Sequence, residues 1–212
     1  MTPSPPTITA LSAHPARPGR VRVYLDGMYA FELSRKVIVA KNVTEGEILT
    51  SERRRELETI AAREAAIALL ARRERSRAEL TTALKRKRFP ADLIEAALRK
   101  IESEGLQSDA RFADAWVATR RRLSPRGRAA LIYELKQKGI EETEIDRAVK
   151  QYKSTDERSA VRDLIAARLP RLIASGDDKE KIKRRLLGFL ARRGFVYDDI
   201  RSVLVRDFPD WL

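Results

Sequence analysis

Leu131–Val149 reads LIYELKQKGIEETEIDRAV, and the same pattern is written twice more, at Leu80–Leu98 and at Leu186–Leu204. Without gaps, Leu80 aligns with Leu131 and Leu186, Leu84 with Leu135 and Leu190, Phe89 with Ile140 and Phe195, and Ile94 with Ile145 and Ile200; Leu98, Val149 and Leu204 close the register. Within each half the apolar positions fall three, four or seven apart, the spacing of one helical face. Each copy therefore reads as two short helices joined by a tight turn. Gly139 and Gly194 follow a basic last helical turn, where a left-handed residue and cationic side chains both suit a helix end. Acidic residues open the next helix: Glu141, Glu142 and Glu144 in one copy, Asp198 and Asp199 in another. The first copy departs, with Arg88 in place of the glycine and Pro90 at the first helical position. A left-handed Arg88 costs roughly 1 kcal/mol relative to glycine. A pattern of this period held three times predicts stacked helical modules, none able to bury its apolar face alone.

Working outward, Ser51–Ser76 lacks Pro and Gly and is rich in Ala, Leu, Arg and Glu, so it predicts a long helix leading into the first module. Ser76-Arg77-Ala78-Glu79 is a capping box. That box opens a helix over Arg77–Lys87, followed by one over Pro90–Glu104. In the second module Phe112, Ala113, Trp116 and Val117 form an apolar stripe. This spacing favours a core position for Trp116 over a base-stacking platform. Ser124-Pro125 predicts the start of the next helix, and Glu144–Tyr152 the last. In the third module Ala160 and Leu164 are matched to Ala113 and Val117, and Leu169-Pro170 with Ser175–Asp178 is expected to separate the first two helices. Trp211 is a candidate terminal cap.

Toward the N-terminus, Asp26-Gly27 between runs of β-branched and aromatic residues predicts a two-residue type I′ hairpin, with strands at about 20 to 25 and 28 to 33. A strand over Thr7–Leu11 and a helix or turn over Ser34–Lys41 complete this piece. His14, the single histidine, has no partner histidine or cysteine and reads as surface filler. The expected fold is mainly α: three tandem three-helix modules in an elongated, solenoid-like body, preceded by a small β-hairpin region. The expected boundaries are a disordered tail over 1–7, the hairpin region over 8–50, the linking helix with module one over 51–106, module two over 107–154 and module three over 155–212.

Composition points to an anionic partner. The 212 residues carry 44 Lys plus Arg against 31 Asp plus Glu, a net charge of +13. Residues 1–60 hold 9 basic and 7 acidic side chains, so +11 of that excess lies in the repeat region. Solvated helix faces explain a high charged fraction but not its sign; nucleic acid and acidic protein surfaces are the candidates. There is no cysteine, hence no disulfide framework, and neither a long apolar run nor a signal-peptide pattern, which predicts a cytoplasmic protein. No Gly-Lys pair, G-x-G-x-x-G run, H-E-x-x-H helix or G-x-S-x-G elbow occurs. The chain is therefore expected to be neither an enzyme nor a cofactor or metal protein.

The candidate binding residues are the basic runs. They comprise Arg72, Arg73, Arg75 and Arg77; Lys85, Arg86 and Lys87, with Arg88 beside them; and Arg120, Arg121, Arg122, Arg126 and Arg128. Lys136 and Lys138, Arg184 and Arg185 within the run from Lys179, and Arg192 and Arg193 complete the set. They are expected at helix ends and turns in equivalent parts of the modules, as a repeated basic edge. Arginine's planar fork suits bidentate contact to phosphate or carboxylate. No aromatic is interleaved, so backbone contact is expected and base reading is not.

Several segments together resemble one family. They are Arg73-x-Arg75-Ser76-x-x-Glu79-Leu80, Gly105-Leu106 with Asp109-x-x-Phe112-Ala113-x-x-Trp116-Val117, Gly127, Glu134-Leu135-Lys136-x-Lys138-Gly139-Ile140, and Phe189-Leu190-x-Arg192-Arg193-Gly194-Phe195. With the hairpin residues Tyr24–Gly27 and Tyr29–Phe31, they are similar in order and spacing to the RecX family of bacterial regulatory proteins. The resemblance implies a modulator of the RecA recombinase in homologous recombination, DNA repair and the SOS response, and the chain is expected to be a monomer. It would lie in the groove of the RecA filament on single-stranded DNA and inhibit strand exchange and ATP hydrolysis. Double-stranded DNA is a further possible partner; a membrane and a small-molecule substrate are not expected. Two rivals remain at this point: a stand-alone basic DNA-binding protein, and an adaptor for another acidic protein.

Overall fold

The structure, a computed structural model, describes residues 4–151 and 154–211. The chain divides into two compact units, Met1–Ser108 and Asp109–Leu212.

The first unit opens with an antiparallel meander of β1 (Ile8–Ala13), β2 (Arg20–Leu25) and β3 (Met28–Ser34). Asp26 and Gly27 join β2 to β3 with φ of 49° and 80°, the two left-handed residues of a type I′ turn. Pro6 and Thr7, expected in a disordered tail, are instead tied down. The Leu49 N–H donates to the Pro6 carbonyl at 2.8 Å, and the Thr7 N–H to Asp26 Oδ1 at 2.9 Å. Met1, Thr2 and Pro3 lie outside the described residues. His14 is not surface filler either. Its side chain is 9% exposed, its Nδ1 accepts from the Ala16 N–H at 3.1 Å, and its Nε2 stands 3.4 Å from Glu32.

After the short α1 (Arg35–Ala40), α2 (Ser51–Leu70) begins at Thr50, whose hydroxyl accepts from the Arg53 N–H. This one helix serves two cores. Leu57 and Ala61 pack with Ile8, Val23, Phe31, Leu33 and Leu49 of the sheet region. One to two turns on, Ala66 packs with α3 (Arg77–Arg86) and α4 (Ala91–Ser103) through Leu80, Leu84, Ile94, Leu98 and Ile101. Thus α2 is both the linking helix and the first helix of module one. Ser76 caps α3 as its motif predicts, accepting from the Glu79 N–H at 3.1 Å. Pro90 stands one position earlier than expected, as the N-cap of α4. Its ψ of 148° is extended, and its carbonyl accepts the first helical bond, from Ile94.

The second unit holds α5 (Asp109–Leu123), α6 (Arg128–Gln137) and α7 (Glu142–Lys150), then α8 (Ser154–Ile173), α9 (Lys179–Arg192) and α10 (Tyr197–Asp207). A 3-10 turn, Pro209–Trp211, follows, and Trp211 packs on the module-three core. Three expectations are corrected. Helix α6 starts at Arg128 with Gly127 as N-cap, not at Ser124-Pro125, because the intervening residues bind the next module. The Gly127 N–H donates to the Arg193 carbonyl at 2.9 Å, and the Pro125 carbonyl accepts from Arg193 Nη1 at 3.1 Å. Helix α8 runs through Pro170 without a break. The proline lies in the last turn, and its carbonyl still accepts from the Ala174 N–H at 3.0 Å. Finally, Val161 and Ile165 are buried where Ala160 and Leu164 were matched, a slip of one position. Helix α7 ends at Lys150, and Tyr152 lies outside the described residues.

The three interhelix turns are the same object. Arg88, Gly139 and Gly194 have φ of 66°, 71° and 83°. Each donates its N–H three residues back, to Lys85, Lys136 and Ala191, while the following residue donates five back, to Leu84, Leu135 and Leu190. This is the Schellman arrangement, with its apolar contact made by Phe89, Ile140 and Phe195. All the aligned apolar positions are buried except Phe89, which is partly open.

Candidate functional site

The turns also position the cations, and these divide into two groups. The first is engaged within the fold. Arg73 reaches Glu79 at 2.8 Å, and Arg77 pairs with Glu95 at 2.8 Å and Glu102 at 2.7 Å. The Glu95 hydrogen bond raises the Arg77 pKa, and Arg77 in turn holds Glu95 below the usual carboxylate range. The Arg75 Nε is buried and makes no hydrogen bond among the described residues.

In module two, two arginines of the run converge on a single carboxylate. Glu134 on α6 accepts from Arg120 Nε at 2.7 Å and from Trp116 Nε1 at 2.8 Å, with Arg126 Nε 3.4 Å away. Trp116 stacks on Phe112 at 5.8 Å, while Arg120 and Lys138 lie over its ring at 4.6 and 5.0 Å. The ring is half-buried and in contact with the core and with both cations. Arg121 reaches Asp156 at 3.0 Å, Lys136 reaches Glu142 at 2.9 Å, and Arg185 pairs with Asp177. Lys136 also holds Glu142 below its ordinary value. Arg193 is committed to Pro125 and lies over Phe189 at 4.7 Å; burial, with Arg126 and Arg168 nearby, lowers its pKa.

The second group faces solvent. Among the described residues, the side chains of Arg72, Lys85, Arg86, Lys87, Arg122, Arg128, Arg184 and Arg192 are exposed and form no ion pair. Lys85–Lys87 and Arg192 occupy equivalent turns between the second and third helices of their modules. Arg72 and Arg122 likewise flank the passage from first to second helix. Arg184 lies instead in the second turn of α9 rather than at a helix end.

Sequence reasoning did not find Glu134 as the hub of the arginine run, since a carboxylate inside a basic stretch reads as an ordinary exposed helical pair. Nor did it find Glu157, which is buried on α8 and accepts from the Arg128 N–H at 2.6 Å. This carboxylate supplies the cap that Gly127 lacks. Burial raises the Glu157 pKa, the Arg128 N–H opposes that, and nearby Asp199 adds to it.

Taken together, these features define a protein of tandem three-helix modules with solvent-facing cations in its turns. Among the described residues, no group of His, Asp and Glu is placed to hold a metal ion, and no helix is long and apolar enough to cross a membrane. The chain belongs to the RecX family of regulatory proteins, which is not an enzyme family: the family's first, second and third three-helix domains match residues 62–100, 108–149 and 156–204.

Regulatory protein RecX of Thermobifida fusca is 40% identical over 134 residues, covering 63% of this chain and 71% of that protein. The protein of the same name from Chlorobium phaeobacteroides is 40% identical over 143 residues, 68% of this chain and 91% of that one. A Clostridium acetobutylicum relative matches nearly end to end, at 24% identity over 96% of this chain and 97% of its own length. A crystal structure of regulatory protein RecX has a TM-score of 0.62 at 22% identity, over 95% of this chain and all of that one. That of RecX from Lactobacillus salivarius also gives 0.62 at 22% identity, over 70% of this chain and 95% of that one. Both show likeness of fold.

Proposed function

We propose that this protein binds the RecA filament on single-stranded DNA and restrains its strand exchange and ATP hydrolysis. It would act as a cytoplasmic monomer that touches acidic protein surface and DNA backbone together, without cofactor or small-molecule substrate. Membership in a family of regulatory proteins supports the reading. The observation that carries it is the second group of cations. Arg72, Lys85, Arg86, Lys87, Arg122, Arg128, Arg184 and Arg192 form no ion pair among the described residues, so their charge is available to an anionic polymer. Several such contacts made at once raise avidity without a deep pocket. The paired cations, Arg73, Arg77, Arg120, Arg121, Lys136 and Arg185, are expected to contribute less, because binding must first compete with their carboxylates.

The test is ATP hydrolysis by preformed RecA filaments on single-stranded DNA, titrated with this protein at fixed moderate salt, alongside a naked-DNA competition control. Suppression well below one molecule per RecA, where the protein covers too little DNA to compete, is the expected result. Suppression only when free DNA is saturated would move the reading to a stand-alone DNA-binding protein. Neutralising Lys85, Arg86 and Lys87 together is expected to weaken suppression more than neutralising Arg73 and Arg77 together; the reverse order would reject the division into two groups.

A further inference from the structure

A cleft of about 250 Å³ opens in the first unit where β3, α2 and the α3–α4 turn meet. It exists because its floor is made of alanines. Ala61, Ala65 and Ala68 are spaced four and three apart, so they share one side of α2, and none reaches far enough to fill the space. Phe89 lines the cleft. Its counterparts Ile140 and Phe195 are buried in their modules, and Phe89 alone of the aligned set is left partly open. Tyr29 of β3 also lines it, 53% exposed and edge-on to Tyr24 at 6.1 Å.

Four cations border this aromatic space, and they differ in what they have left to give. Arg17 pairs with Glu32 at 2.9 Å and Arg20 with Glu64 at 2.7 Å, so these two are neutralised within the fold. Arg72, beyond the end of α2, and Lys87, in the α3–α4 turn, form no ion pair among the described residues. Two available charges from separate elements therefore meet an exposed Tyr29 and a partly open Phe89. We infer that this cleft takes one unstacked base of a single-stranded nucleic acid, with Tyr29 and Phe89 supplying stacking surface and Arg72 and Lys87 the contacts to adjoining phosphates.

The site combines the two parts of single-strand recognition, a cationic track and an aromatic platform. An acidic peptide would need the cations but not the rings. At about 250 Å³ the cleft lies below the roughly 300–1,000 Å³ of drug-sized sites, which suits one planar group better than a helix. The inference deepens the proposed function, on whose single-stranded DNA it rests, by adding a base contact to the backbone contacts.

The experiment measures binding of fluorescent oligo-dT to the full chain as a function of salt. Tyr29→Ala is expected to weaken binding about 5- to 150-fold, the range for one lost base stack, with the salt slope unchanged. Tyr29→Phe keeps the ring, and Met28→Ala removes an exposed neighbour outside the cleft; both are expected to bind like wild type. Arg72→Gln with Lys87→Gln is expected to lower the salt slope by roughly 1.4, as for two phosphate contacts to a single strand. The inference is overturned if Tyr29→Ala binds like wild type, or if wild type does not bind oligo-dT. It is also overturned if poly-glutamate of equal charge displaces the probe as well as unlabelled oligo-dT does. The two readings fail separately. Cleft-dependent oligo-dT binding without suppression of RecA would reject the proposed function and keep the cleft, whereas suppression with an unaffected Tyr29→Ala variant would do the opposite.

Discussion

Replacing Gly194 by alanine tests whether modules two and three are locked together as the structure has them. Two costs are expected. At φ of 83° a residue with a Cβ sits in the left-handed region, which costs about 1–2 kcal/mol. The new Cβ would also stand 2.5 Å from both the backbone nitrogen and the Cβ of Ala130 on α6, closer than real contacts allow. Because one of those atoms is backbone in the first turn of a helix, the obstruction cannot rotate away, and overpacking of this kind costs a further 1–3 kcal/mol or so. Gly176→Ala is the control: its φ of 72° gives the same backbone strain, and nothing lies within 4 Å of its added Cβ. Both positions belong to the second unit, and so do Trp116 and Trp211, the chain's two tryptophans. Tryptophan fluorescence during urea unfolding therefore reports that unit alone. Gly194→Ala is expected to be less stable than Gly176→Ala by about 1–3 kcal/mol, or on the order of 1 M in urea midpoint at typical slopes. Equal losses would mean that Gly194 does not press on α6 in solution and that the contact between the modules is wrong.

Three further outcomes follow from particular residues. Arg88→Gly, at φ of 66°, is expected to stabilise the first unit by about 1 kcal/mol, read from urea unfolding by circular dichroism; a loss of stability would show that the arginine side chain outweighs its backbone strain. Leu135→Ala empties a fully buried position of module two and is expected to cost about 2–5 kcal/mol by tryptophan-detected unfolding, against less than about 1 for an exposed site. Glu157→Gln tests the raised pKa. A carboxyl that holds its proton more tightly when folded loses stability as pH rises through the ordinary carboxylate range toward its raised value, so the variant's advantage is expected to grow with pH across that window and then level off. A variant less stable than wild type at neutral pH by more than at acid pH would show that the charged cap on Arg128 outweighs burial.

What the sequence made legible was whatever is decided within about five residues. The hairpin at Asp26-Gly27, the cap at Ser76, and the three turns at Arg88, Gly139 and Gly194 are local events, fixed by which residue tolerates a left-handed backbone or offers a side-chain oxygen. Even the departure at Arg88 was readable, because the register of the flanking leucines left no other residue for that position.

The misreadings have one cause. Ser124-Pro125 is a good local helix start, yet α6 begins at Arg128, because the Arg193 carbonyl and the Glu157 carboxylate supply the hydrogen bonds that a local cap would have made. Likewise, a basic run looks the same in sequence whether its charges are open or engaged. Arg120 and Arg126 converge on Glu134, while Arg122 between them makes no ion pair among the described residues; helical phase and the position of one carboxylate on α6 make the difference. The cleft at Tyr29 joins residues more than forty positions apart, and its most informative member, Phe89, looked like one more core position of the repeat. A repeat makes its own interior legible by writing it three times. The cleft lies where one module departs from its copies: Phe89 is partly open, Lys87 forms no ion pair among the described residues, and α2 contributes three alanines from one side.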